Sequence, residues 1–86
     1  MERVRRVEGY RMETLDDEVL LFNPAQTRII ALNASAALVW QLLDGTRSRS
    51  EIVALISEAY PEAGNVGGDV DDLLATLRGA GAVEQA

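Results

Sequence analysis

The chain has 86 residues with no Cys and no His, all eight of its basic residues are Arg, and its formal net charge is −6. The usual side chains for zinc binding, imidazole or thiol catalysis and Schiff-base chemistry are therefore missing. At this length one small domain with a thin core is expected, and nearly every apolar residue must serve it.

The charge is unevenly placed. Residues 1–49 carry seven Arg and seven acids, whereas residues 50–86 carry Arg78 alone against seven acids. That balance opposes nucleic-acid binding. No run approaches the roughly 18 apolar residues that span a membrane, and the start of the chain lacks a signal-peptide core. The absence of Cys suits a cytoplasmic setting. Neither a metal nor a cofactor is expected.

Met1 to Gly9 is charged and reads as a solvated arm or an extra edge strand. Tyr10 to Leu15 alternates apolar and polar residues, the pattern of a half-exposed strand. Asp16-Asp17-Glu18 is a polar turn. Val19 to Phe22 is a continuous apolar run, too short for a helix, and is expected to be a strand covered on both faces. Asn23-Pro24-Ala25-Gln26 has turn chemistry. Thr27 to Leu32 is a third strand, rich in β-branched residues, with nothing to block pairing at its edge.

Asn33 can cap a helix whose apolar face holds Ala36, Val39, Trp40 and Leu43, with Leu32 as a staple outside it. Gly45 is placed to stop that helix. Ser48 and Glu51 form a capping box. It opens a second helix with Ile52, Leu55, Ile56, Ala59 and Tyr60 on one stripe, ended by Pro61. Glu62 to Gly68 reads as a loop. A third helix is expected over Asp69–Arg78, with Val70, Leu73, Leu74 and Leu77 inward and Asp69, Asp71 and Asp72 crowding its first turn. Gly79 and Gly81 stop it, and Ala82-Val83-Glu84 can add a short strand. Three strands followed by three helices make an α+β, winged helix-turn-helix-like domain over residues 10–86, its sheet antiparallel.

These pieces, in this order, resemble the PqqD-like family, the pyrroloquinoline quinone biosynthesis protein D group of RiPP recognition elements. The matching residues are Leu20-Leu21-Phe22-Asn23-Pro24, then Leu32-Asn33, Ser35-Ala36, Val39-Trp40 and Leu42-Leu43-Asp44-Gly45. Glu51-Ile52-Val53, Ile56, Tyr60-Pro61, Asp69-Val70, Leu73-Leu74, Leu77 and Gly81-Ala82-Val83 complete the match. The resemblance implies a non-catalytic protein that binds the leader segment of a ribosomally synthesised precursor peptide. It also implies that the leader is presented to a modifying enzyme, such as a radical SAM protein or another RiPP maturase.

In that family the leader is held as an added strand between the third strand and the third helix. Carried onto this chain, the peptide-binding residues are Arg28, Ile29, Ile30 and Ala31 on the strand and Asp69, Asp72, Leu73, Thr76 and Leu77 on the helix. Core packing is an alternative role for Ile29, Ile30, Leu73 and Leu77. For Asp69 and Asp72 the alternative is a helix-dipole effect. A second copy of the chain is a further candidate partner, through the open sheet edges. Three rival readings are a structural or dimerisation subunit of a larger enzyme, a winged-helix DNA-binding protein and a small enzyme. The three Asp at the start of the third helix weigh against DNA.

Overall fold

A computed structural model describes residues 3–16 and 18–86. The elements run β1 (Arg3–Arg6), β2 (Arg11–Leu15), β3 (Glu18–Phe22), β4 (Ile29–Leu32), α1 (Ala34–Leu42), β5 (Asp44–Ser48), α2 (Arg49–Ala59), α3 (Val66–Gly79) and β6 (Val83–Gln85). The fold is α+β, with three helices packed against a three-stranded antiparallel sheet of order β2-β3-β4 and a second sheet of order β5-β1-β6.

The first sheet is the expected meander. Its register places Met12, Leu21 and Ile30 in one row, and Arg11, Phe22 and Ile29 in the next. Successive rows point to opposite faces. The Leu21 row turns inward, and Leu21 is fully buried, whereas Ile29 on the other face is 63% exposed. Val19, Leu20 and Phe22 are only half-buried. The apolar run is therefore covered on one face, not two, because the meander packs on helices from one side only. Asp16 makes the β2–β3 turn at φ 54, a left-handed conformation that Asp tolerates. Its neighbour Asp17, expected in the same turn, lies outside the described residues. At the next turn Gln26 N–H donates to the Asn23 carbonyl at 2.9 Å, and Ala25 N–H donates to Asn23 Oδ1 at 2.9 Å.

Asn33 caps α1 as expected: its Oδ1 accepts from Ala36 N–H at 2.8 Å. Trp40 is 5% exposed and packs edge-to-face with Tyr10, ring centroids 6.0 Å apart. The end of α1 differs from expectation. Leu43, fully buried, closes the helix, and Gly45 falls inside β5. Gly45 is left-handed, at φ 84, where the pairing of β1 with β5 slips register between Arg3–Ser48 and Arg5–Asp44. Its freedom thus serves a bulge rather than a helix stop.

The second sheet corrects the reading of the first residues. Arg3–Arg6 is neither a solvated arm nor an edge strand but the middle strand, with β5 on one side and β6 on the other. Val4 is 6% exposed. Arg6 Nη1 donates to the carbonyls of Trp40 at 3.3 Å and Gln41 at 3.1 Å, a cation where the α1 dipole favours one. Met1 and Glu2 lie outside the described residues.

The capping box of α2 is present: Glu51 N–H donates to Ser48 Oγ at 3.3 Å, and Ser48 N–H to Glu51 Oε1 at 3.1 Å. That contact holds the Glu51 carboxyl below its ordinary range. Helix α3 starts three residues earlier than expected, with Asn65 as its cap accepting from Gly68 N–H at 3.0 Å. Only Asp69 therefore sits in its first turn. Asp71 faces α2 instead, where Arg49 Nη2 donates to it at 2.9 Å and holds its carboxyl below the usual range. The helices and both sheets meet in one core that includes Leu21, Trp40, Leu43, Ile52, Val70 and Leu77.

Candidate functional site

Among the described residues β4 is an edge strand, bonded to β3 on one side only. In an antiparallel pair alternate residues make both of their backbone bonds to the partner. The intervening residues point N–H and C=O the other way. A four-residue strand thus offers about four free backbone groups on its outer edge.

A groove of about 290 Å³ lies beside this edge. Ala31, Leu32 and Asn33 form one wall, and Val66, Asp69, Asp72 and Leu73 of α3 line another part. Val39, Ile56 and Val70 contribute a floor that is nearly fully buried. The exposed carboxylates of Asp69 and Asp72 give the groove an acidic margin over an apolar base. Such a site can accept an extended chain by main-chain pairing, take apolar side chains below and favour a cation at its margin. Another hollow, of about 320 Å³, is bordered by Arg47, Arg49 and Asp71. There Arg47 pairs with Asp44 and Arg49 with Asp71, so these charges already have partners. Among the described residues no group of three or more acidic side chains is placed to hold a metal ion.

Of the residues named from the sequence, Ala31, Asp69, Asp72 and Leu73 come together in the groove. Arg28, expected on the strand, falls one residue before β4 because the Asn23 turn runs on into Thr27. It stands at the other end of the β4–α3 seam, where its Nη1 donates to the Gly79 carbonyl at 3.3 Å. Ile29 belongs to the outward row, and Ile30 shares the inward row with Leu21. Thr76 is exposed and outside the groove lining. Leu77 is fully buried in the core and is not among the residues that line the groove.

Asn33, Ala36, Val39, Ile56 and Val66 also line the groove, although sequence reasoning assigns none of them a part in binding. Asn33 reads from sequence as a cap and nothing more. Val66 falls in what reads from sequence as the loop before α3. Ala36 carries a usable signal, since a small residue next to a capped helix start leaves room for a neighbour.

The family model described as Coenzyme PQQ synthesis protein D (PqqD) matches residues 18–83. The chain belongs to the PqqD family. The matched span runs from β3 to the start of β6 and includes every wall of the groove. A PqqA binding protein of Rahnella aquatilis is 40% identical over 70 residues, covering 78% of this chain and 70% of that one. A PqqA binding protein of Klebsiella pneumoniae (strain 342) is 35% identical over 69 residues, covering 77% and 72%.

Among solved structures, TbiB1 in complex with the TbiA(beta) leader peptide superposes with a TM-score of 0.73 at 26% identity, covering 93% of this chain and 94% of that one. Lasso peptide synthetase B1 complexed with the leader peptide superposes with a TM-score of 0.76, covering 95% and 98%. At 20% identity that second likeness shows the fold alone. The PqqD-family members matched by sequence are thus named for binding PqqA rather than for a reaction. Among the described residues no helix is long and apolar enough to cross a membrane.

Proposed function

We propose that this PqqD-family chain is a non-catalytic, cytoplasmic peptide-binding protein that captures the leader of a precursor peptide as a fourth strand on β4. It then presents the peptide to a modifying enzyme such as a radical SAM protein. The observation that carries this reading is the open edge of β4 running beside an apolar-floored groove closed by α3. The names of the sequence relatives and the leader complex of TbiB1 support it.

Ala31 supplies backbone on the strand side, Leu73 meets an apolar leader side chain, and Asp69 and Asp72 favour a Lys or Arg nearby. The charged contribution is modest, since both carboxylates are exposed. About four backbone hydrogen bonds at roughly 1 kcal/mol each, with one or two buried side chains at about 2 kcal/mol each, are offset by ordering the peptide. A dissociation constant near micromolar, about −8 kcal/mol, is the expected balance.

The test is amide shift mapping during titration with synthetic PqqA of Rahnella aquatilis. Perturbations are expected along β4 and residues 66–73 of α3. Largest shifts on α2 or on β1 would refute the groove assignment. Proline placed in the paired stretch of the peptide is expected to weaken binding more than alanine at the same place, because it removes a donor.

A second reading, self-association through the outer face of the β2-β3-β4 sheet, is favoured by Ile29 at 63% exposure and Leu15 at 57%. A monomer in sedimentation equilibrium at high protein concentration would dismiss it.

A further inference from the structure

The seam between β4 and α3 is open at one end and closed at the other. β4 and α3 run in opposite directions along it: Ala31 lies at the groove with Asp69 and Leu73, whereas Arg28 reaches Gly79. Three strand residues span about 10 Å, and the six to ten helix residues from Leu73 or Asp69 to Gly79 span about 9–15 Å. The clasp therefore sits roughly one peptide segment away from the acidic margin. At that end the Arg28 side chain crosses from the start of β4 to the Gly79 carbonyl, through the space an added strand about 4.8 Å from β4 would need.

Building on the strand-addition reading, we infer that Arg28 is a specificity-determining residue: strand addition along the whole of β4 frees its guanidinium from Gly79, and it then engages a carboxylate on the leader. The exchange is favourable on simple grounds. The Gly79 carbonyl is one of the last in α3, has no partner within the helix beyond its end and can turn to water. Arg28 and Gly79 are both exposed, so breaking their contact costs little. A carboxylate accepts from a guanidinium more strongly than a neutral carbonyl does, and can do so with two parallel bonds.

Both existing pairings in this sheet are antiparallel, and an antiparallel fourth strand is the more stable choice. A leader so oriented enters at the Asp69 and Asp72 end and leaves at the Arg28 end. The acidic residue that meets Arg28 then lies about three to five residues C-terminal to any basic residue drawn to the acidic margin.

The experiment is a set of mutant cycles with synthetic PqqA of Rahnella aquatilis, titrated into the wild-type protein, Arg28→Gln and Arg28→Lys. In the peptide each Asp or Glu is replaced singly by Asn or Gln, and each Lys or Arg by Gln. Melting curves confirm that the protein variants remain folded, as expected for an exposed position. One carboxylate is expected whose loss weakens binding to the wild type by about two- to fivefold. The same loss is silent with Arg28→Gln and intermediate with Arg28→Lys, and the coupling shrinks as salt rises. A parallel cycle with Asp72→Asn identifies the coupled cation, which is expected N-terminal to that carboxylate.

Binding with no carboxylate coupled to Arg28 would overturn this inference and leave the leader reading standing, as would a coupled carboxylate on the N-terminal side of the cation. Failure of the wild-type protein to bind the peptide at all would defeat both.

Discussion

Replacing Trp40 by Ala is expected to remove most of the stability of the domain. Trp40 is the single Trp of the chain and is 5% exposed. An indole of this kind buries about 150–250 Å², worth about 4–6 kcal/mol at 25 cal/mol per Å². The edge-to-face contact with Tyr10, at 6.0 Å and 63°, adds about 0.5–1.5 kcal/mol. Tyr10 is itself tied down, since its hydroxyl donates to the Ala80 carbonyl at 3.1 Å. Ala keeps part of the burial and the cavity relaxes in part, so a net loss of about 3–5 kcal/mol is expected. A domain of 86 residues has about 4–13 kcal/mol in total, so the melting temperature should fall by about 15 °C or more. Urea unfolding followed by far-ultraviolet circular dichroism measures the loss. Trp40→Phe provides a milder step, about 1–2 kcal/mol, should the Ala variant fail to fold. Trp40 is not part of the groove lining, so the folded Phe variant should bind peptide as the wild type does. A loss below about 1 kcal/mol for Trp40→Ala would refute the reasoning and place the ring at the surface.

Val4→Asp should cost at least about 3 kcal/mol by putting a carboxylate among the β5-β1-β6 core contacts; near-wild-type urea unfolding would show that β1 is dispensable. Ser48→Ala should cost about 1 kcal/mol through loss of the α2 cap, and a change under 0.2 kcal/mol would contradict it. Glu51 and Asp71 both have carboxyls held below their unfolded values of 4.5 and 3.8. Their stabilisation is complete above those values and is lost as pH falls through the lower folded ones. Glu51→Gln should therefore flatten the loss of urea midpoint below about pH 4.5, and an unchanged slope would disprove the link. Gly45→Ala should destabilise by about 1–2 kcal/mol because of its left-handed backbone, its new Cβ lying 3.1 Å from that of Ala86. A stabilised variant would show that the bulge relaxes freely.

The sequence was most legible where a side chain answers a local backbone need. Asn33, the Ser48–Glu51 box and the Asn23 turn each satisfy nearby N–H groups, and each is found in place. The meander was legible for the same reason, as its strands are joined by short turns. The second sheet was not. Asp44-Gly45-Thr46-Arg47-Ser48 has the composition of a turn and becomes a strand only because β1, far off in sequence, lies beside it. Gly67 and Gly68 read as loop, whereas the Asn65 cap makes them helical and moves the start of α3 to Val66. In the groove, Ala31, Asp69, Asp72 and Leu73 were legible because strand edge and helix face can both be read along a chain. The contributions of Val39 and Ile56 depend on how three helices converge, which no single stretch records.

The pairing of β1 with β6 sets an order of assembly. Val4 stands opposite Gln85, so this contact closes a loop nearly as long as the chain, whereas β2, β3 and β4 meet across short turns. Closing the longer loop carries the greater entropy cost and comes after local contacts have formed. Sub-global opening then releases the β1 and β6 strands first, at a free energy below that of complete unfolding. In native-state hydrogen exchange the amides of β1 and β6 should turn over ahead of those joining β3 to β4. The edge proposed for leader pairing thus outlasts the sheet that joins β1 to β6.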